Sequence, residues 1–317
     1  MRRALLLAPV LLAAAFVAGC GTGDSSSARP GAIDVVVTTT QLGDIVRAVG
    51  GDAVDVHQIL KPNTDPHDYE PRPKDIQATA GARLVVVSGD NLDRWMGDVL
   101  DNAGGHPAVL DAGVGRPVTL PGEDTGPEAS RFDPHWWHDP VNVEYATARI
   151  RDALAEADPH ATAAIDAGAE AYLAKLRTLD TGIAKCMATV PVAQRKLVTD
   201  HDAFGYFAKR YDIDVVGAVI PSQTTQAQPS AGDLAKLTTV IRREGVKAIF
   251  PESSINPKLA KAIARETGAT ADHTLYGDTL GPADSRGATY LSMMVANADA
   301  MVHGFTGGAQ GCSVAGL

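Results

Sequence analysis

Residues 133–140, DPHWWHDP, set two imidazoles, His135 and His138, three positions apart among acidic residues and a pair of tryptophans. Three more groups of the same kind stand elsewhere. His67 lies in KPNTDPHDYEP between prolines and aspartates, His201 follows the apolar run LVTD, and Asp278 closes HTLYGD. Imidazole nitrogens plus one carboxylate, with no thiolate nearby, suit a divalent first-row metal, zinc above all. Calcium and magnesium prefer shells made of oxygen alone. A metal-bound histidine usually donates its second ring N–H to a carboxylate or carbonyl, and Asp65, Asp133, Asp139, Asp200 and Asp202 are near enough in sequence to orient rings. Glu252, at the end of VKAIFPE, points to the same cleft as an outer support. Trp136 and Trp137 either shield such a site from water or pack between helix and sheet. His57, His106, His160, His273 and His303 fall mid-strand, in loops or on helix faces, where histidines are ordinary surface or core residues.

Donors so distant in the chain need a fold that gathers them. Short β-branched runs at 32–40, 54–60, 82–89 and 107–113 are each followed by a helical pattern, the βαβ rhythm of a parallel sheet. The rhythm restarts at 195–200, 214–220, 246–252 and 270–278. Between the two series, residues 159–188 carry apolar residues at helical spacing without an internal proline; Pro159 suits the first helical position behind Asp158 as cap, and Pro191 lies past the end. The pattern predicts an α/β fold of two lobes, 33–157 and 191–310, each a four-stranded parallel sheet with flanking helices, joined by a single long backbone helix within 158–190. Open α/β sheets bind ligands beyond the carboxyl ends of their strands. His67, His135 and His138 fall there in the first lobe, His201 and Asp278 in the second. A stiff joint predicts lobes that tilt by a few degrees and do not close like jaws. The polar run SQTTQAQPSAGDL, 222–234, can line the cleft but reads first as a solvated connection.

The chain has 317 residues, 45% of them hydrophobic and 21% charged, enough to bury two cores. A formal net charge of −10 repels phosphate backbones and excludes a nucleic-acid partner. Arg2 and Arg3 precede a short apolar run, so residues 1–19 read as a signal peptide, and its end, VAGC, resembles a lipobox whose Cys20 is acylated. Residues 20–32 then form a flexible tether, and the mature protein is expected outside the cytoplasm, lipid-anchored to the outer face of the cell membrane or held in a periplasm. Cys186 and Cys312 can be bridged there or remain two small buried thiols. Closing so long a loop contributes about 5 kcal/mol in the chain-entropy account.

DPHWWHDP, PNTDPHDYEP, LVTDHDAFGYFAKRY, LYGDTLG and TYLSMMVANADAMVHGF, in that company and covering roughly 33–306, resemble the motifs of the zinc/manganese solute-binding lipoproteins of ABC importers. The resemblance implies a receptor, not an enzyme. It also implies an ABC permease and its ATPase subunit as partners, a monomeric chain, and one metal ion between the lobes on His67, His135, His201 and Asp278. The family usually has an aliphatic residue where this chain has His138, which leaves His138 as an alternative or auxiliary ligand. A histidine-rich loop carried by many zinc members is replaced here by the short acidic TLPGEDTGPEASRF. Manganese-type members place a glutamate where this chain has His201; three imidazoles favour Zn2+ over Mn2+, although copper would bind at least as tightly. Three other functions compete: a manganese- or iron-specific member of the same family, a surface adhesin, and a secreted zinc hydrolase with Glu252 as base. The chain has no repeat or large aromatic patch for adhesion and no HExxH or Gly-x-Ser-x-Gly for hydrolysis.

Overall fold

The computed structural model describes residues 31–126 and 128–317, so the expected signal peptide, Cys20 and most of the tether lie outside the described residues. In the first half, β1 (Ile33–Val37), β2 (Val54–Gln58), β3 (Leu84–Val87) and β4 (Ala108–Asp111) form one parallel sheet in the order β2-β1-β3-β4. The helices α1 (Thr40–Gly50), α2 (Pro73–Gly81) and α3 (Trp95–Ala103) make the crossovers. Thr39 turns the chain from β1 into α1, its hydroxyl accepting from the Leu42 amide. The strand order reverses between β1 and β3, which opens a crevice at their carboxyl ends.

The second half builds its sheet less regularly. β5 (Lys196–His201) and β6 (Asp214–Ile220) pair in parallel. The two further runs continue the sheet beside β5 through single parallel bridges, Thr199–Phe250, Ala248–Thr270 and Glu252–Leu275. Backbone bonds from Phe250 N to Val198 O (2.8 Å) and from Leu275 N to Pro251 O (2.8 Å) hold them. Pro251 lacks the N–H that a continuous ladder would need, which breaks the regular pairing. The helices α6 (Gly205–Tyr211), α7 (Ala231–Glu244) and α8 (Lys258–Thr267) flank this sheet, and α9 (Tyr290–Thr306) returns to the centre of the molecule.

Between the halves lie α4 (Pro140–Ala157) and α5 (Thr162–Ala188). The long helix therefore starts three residues later than Pro159, a correction with a physical cause. A residue before proline is pushed out of the α region, so Asp158 ends α4, and its carboxylate accepts from the His160 amide at 3.0 Å in a turn. At 27 residues α5 is about 40 Å long. It buries Ile165, Ala169, Tyr172, Leu176, Leu179, Ile183 and Cys186, one stripe at alternating spacings of four and three. The stripe packs on α4, α1 and α9. Gly168 lets α1 approach closely, because a Cβ there would sit 2.3 Å from the Val49 carbonyl oxygen. One apolar cluster runs unbroken from Val35 through Leu176 to Phe250 and Met294, so the halves share a core. Cys186, at the end of α5, is joined to Cys312 across a Cα separation of 5.4 Å, which ties the C-terminal segment to the spine. No helix among the described residues is long and apolar enough to cross a membrane.

Candidate metal centre

His67, His135 and His201 each have a backbone amide that a carboxylate holds from behind. His67 follows β2 in the proline-stiffened loop, where Asp65 Oδ1 accepts from the His67 amide at 2.9 Å. His135 opens the turn Trp136–His138 before α4, and Asp133 Oδ1 meets both its amide (2.9 Å) and its ring Nδ1 (2.7 Å). His201 is the last residue of β5, and Glu252 Oε1 holds its amide (3.0 Å) and its Nδ1 (2.9 Å) in the same way. Asp278 follows Gly277, where a Cβ would lie 2.1 Å from Glu252 Oε2; only glycine lets the chain pass that close. Trp137 reaches across the cleft to donate its indole N–H to the Gly277 carbonyl at 3.1 Å.

The four side chains converge, each offering one donor atom, and these atoms all lie within 4.8 Å of one another. All four residues are buried. The Nε2 atoms of His67, His135 and His201 stand 3.7, 3.4 and 3.3 Å from the Asp278 carboxylate. All three Nδ1 atoms face a carboxylate, the third pair being His67 with Glu128 Oε2 at 2.6 Å. Donating Nδ1–H fixes the tautomer that bares Nε2 for a metal and makes that nitrogen more basic. Both Asp278 oxygens and His67 Nε2 are buried without a hydrogen-bond partner. Leaving such groups unmet costs about 1–3 kcal/mol each, and more for a charge. A divalent cation among them removes that cost, so the donor set fits one.

The electrostatics point the same way. Burial alone would strip the proton from His135, yet the Asp133 and Asp278 carboxylates hold its pKa up to about 9. Burial also opposes a charge on His201, but Glu252 and Asp278 hold its pKa well above the ordinary value. Burial would raise Asp278; the facing His201 and His135 rings keep it well below the usual carboxylate range instead. Without metal, His135 and His201 therefore favour the protonated form beside the Asp278 carboxylate, and a bound cation competes with those protons.

His138 stands apart from the group of four. Its ring stacks on Phe204 at 4.4 Å, both ring nitrogens are buried without partners, and burial, reinforced by His135, pushes its pKa down to about 3. Of the aspartates expected to orient rings, only Asp133 touches one of the clustered rings. Asp65 holds the His67 backbone, Asp200 accepts from the Glu252 amide at 2.8 Å, and Asp139 caps α4 by accepting from the Val141 amide. Glu252 bonds the His201 amide and ring, and Glu128, which the sequence did not single out, faces the His67 ring. The only signal for Glu128 was the acidity of 119–132, and nothing in its spacing tied it to His67. Residues 222–226 also depart from a solvated connection, because Thr225 donates to Asp65 at 2.6 Å and the Gln226 side chain donates to the His67 carbonyl.

A family model described as zinc-uptake complex component A, periplasmic (ZnuA), matches residues 35–304. The manganese-binding lipoprotein MntA of Halalkalibacterium halodurans is 30% identical over 303 residues, covering 94% of this chain and 97% of its own. The iron-binding protein YfeA of Yersinia pestis is 34% identical over 272 residues, 86% of either chain. Among solved structures, the periplasmic zinc binding protein TroA from Treponema pallidum superposes with a TM-score of 0.78 at 29% identity, over 86% of this chain and 98% of that one.

Proposed function

Since the chain belongs to the ZnuA family of metal-binding solute receptors for ABC importers, we propose that its cargo is Zn2+, held by His67, His135, His201 and Asp278. The observation that carries this reading is the trio of Nδ1–carboxylate pairs whose Nε2 atoms converge on the buried Asp278 carboxylate. Three basic imidazoles and one carboxylate favour zinc over manganese in the Irving–Williams order. Four protein donors leave no open position for an activated water, as a carrier requires; the family consists of receptors and not enzymes.

In this reading the lobes are 33–157 and 191–310, the segment 158–190 is their common spine, and the chain works as a monomer tethered through acylated Cys20. A nanomolar dissociation constant corresponds to about −12 kcal/mol, so the permease must separate the lobes to free the ion. Manganese or iron is the second reading, favoured by the names of MntA and YfeA. Metal analysis of the stripped protein after dialysis against equimolar zinc and manganese decides between them. The expected result is one zinc per chain with manganese in traces; a manganese majority overturns the zinc assignment.

A further inference from the structure

The loop between β6 and α7 crosses from the second half to the first on the exposed side of the metal centre. Thr225 Oγ1 donates to Asp65 Oδ2 at 2.6 Å, and the other oxygen of the same carboxylate holds the His67 amide at 2.9 Å. The Gln226 side chain donates to the His67 carbonyl. Two residues of the opposite lobe thus reach the His67 backbone, Gln226 directly at the carbonyl and Thr225 through the Asp65 carboxylate that holds the amide. Gln223 extends the seam, its amide donating to Glu123 Oε1 at 2.9 Å and its side chain to the Pro121 carbonyl at 3.1 Å. Glu123 belongs to the acidic segment that also delivers Glu128 to the His67 ring. Two surface recesses flank the loop. One, of about 470 Å³, is lined by His67, Asp68, Glu70, Asp98 and Gln226. The other, of about 820 Å³, is lined by Glu123, Asp124, Thr224 and Gln226. Gln226 is the wall common to both.

Among the other bonds between the lobes, those from Leu280 N to Thr40 Oγ1 (2.8 Å) and from Tyr206 to the Asp133 carbonyl (3.0 Å) join buried residues near the shared core. A further bond, from the amide of the exposed Asn63 to Thr279 Oγ1 (3.1 Å), reaches the His67 loop without touching the peptide groups of His67. Gln226 is exposed and Thr225 half-buried, so water can replace their bonds at small cost when the lobes tilt. We propose that Thr225 and Gln226 are positioning residues that act on the metal through His67, and that the 222–226 loop sets the rate of metal release by keeping His67 in place only while the lobes are together. The inference rests on reading the centre as the metal site.

The test is stopped-flow transfer of metal to a chromogenic chelator from the full chain, loaded with whichever of zinc or manganese the wild type takes. The double variant Thr225→Val, Gln226→Ala is expected to load one ion per chain and to melt, metal-free, near the wild type. It should release its ion about tenfold faster, the factor that ~1.4 kcal/mol carries. Thr225→Ser keeps the donor and should release at the wild-type rate. Wild-type release from the loaded double variant overturns the proposal, as does an equal acceleration in Thr225→Ser. If the double variant does not fold, Gln226→Ala alone, altering an exposed side chain, is read the same way: acceleration supports the proposal and an unchanged rate overturns it. A wild type that takes up neither metal sinks the metal reading and the proposal together, an outcome distinct from a loaded variant that releases normally.

Discussion

The two halves deliver their donors to the metal by different means. In the second half His201 ends a strand, Glu252 grips both its amide and its ring, and Gly277 sets Asp278 against that same glutamate. Everything there hangs on one sheet. In the first half His67 and His135 lie on loops, and the carboxylate facing the His67 ring, Glu128, comes from a different loop 61 residues away. His67 is also steadied by Thr225 and Gln226 across the cleft. The second half therefore holds its donors within one lobe, whereas in the first half the backbone at His67 is also bonded by residues of the other lobe.

Deleting donors should expose the difference most strongly. Asp278→Ala removes the only anionic donor and should weaken metal uptake by about a thousandfold or more, roughly 4 kcal/mol, in isothermal titration. His67→Ala leaves the donors of the second half and His135 intact, so residual uptake at least tenfold tighter than that of Asp278→Ala is expected; equal losses would erase the distinction between halves. A smaller effect separates the supporting carboxylates, since such partners are worth about 10- to 100-fold in affinity. Glu252→Gln should fall at the upper end because it serves two groups of His201, and Glu128→Gln at the lower. A reversed order in the same titration breaks the comparison.

The mildest effect is on pH. His135, with a pKa of about 9 in the folded protein against an ordinary 6.5, adds stability to the metal-free chain that is fully present below 6.5 and lost as pH rises through about 9. His201 acts in the same direction. Metal competes with those protons, so apparent affinity should climb over the same interval. Melting curves with and without zinc from pH 6 to pH 9.5 should diverge, the metal-free midpoint falling relative to the loaded one. Parallel curves would show that these rings hold no proton in the empty site.

Much of this was legible in the sequence where the signal is local. Periodicity located the first sheet most plainly at β1 and β3, whose largely buried residues read as β-branched runs, and β6 matches its run at both ends. Strand ends bearing histidines placed four donors near one crevice. The start of α5 was misplaced because an Asp-Pro pair serves equally as helix cap and as inter-helix turn. Glu128 and the Thr225–Gln226 contacts stayed hidden for a different reason. They lie in polar loops of low periodicity; the partner of Glu128 is 61 residues away in the same lobe, and those of Thr225 and Gln226 are about 160 residues away in the other.

Zinc K-edge absorption on the loaded full-length chain tests the central claim most directly, because its multiple-scattering pattern counts imidazoles. The account predicts three nitrogens at about 2.0–2.1 Å and one carboxylate oxygen at about 2.0–2.2 Å. Two or fewer imidazoles, or a shell dominated by water oxygens, would contradict it.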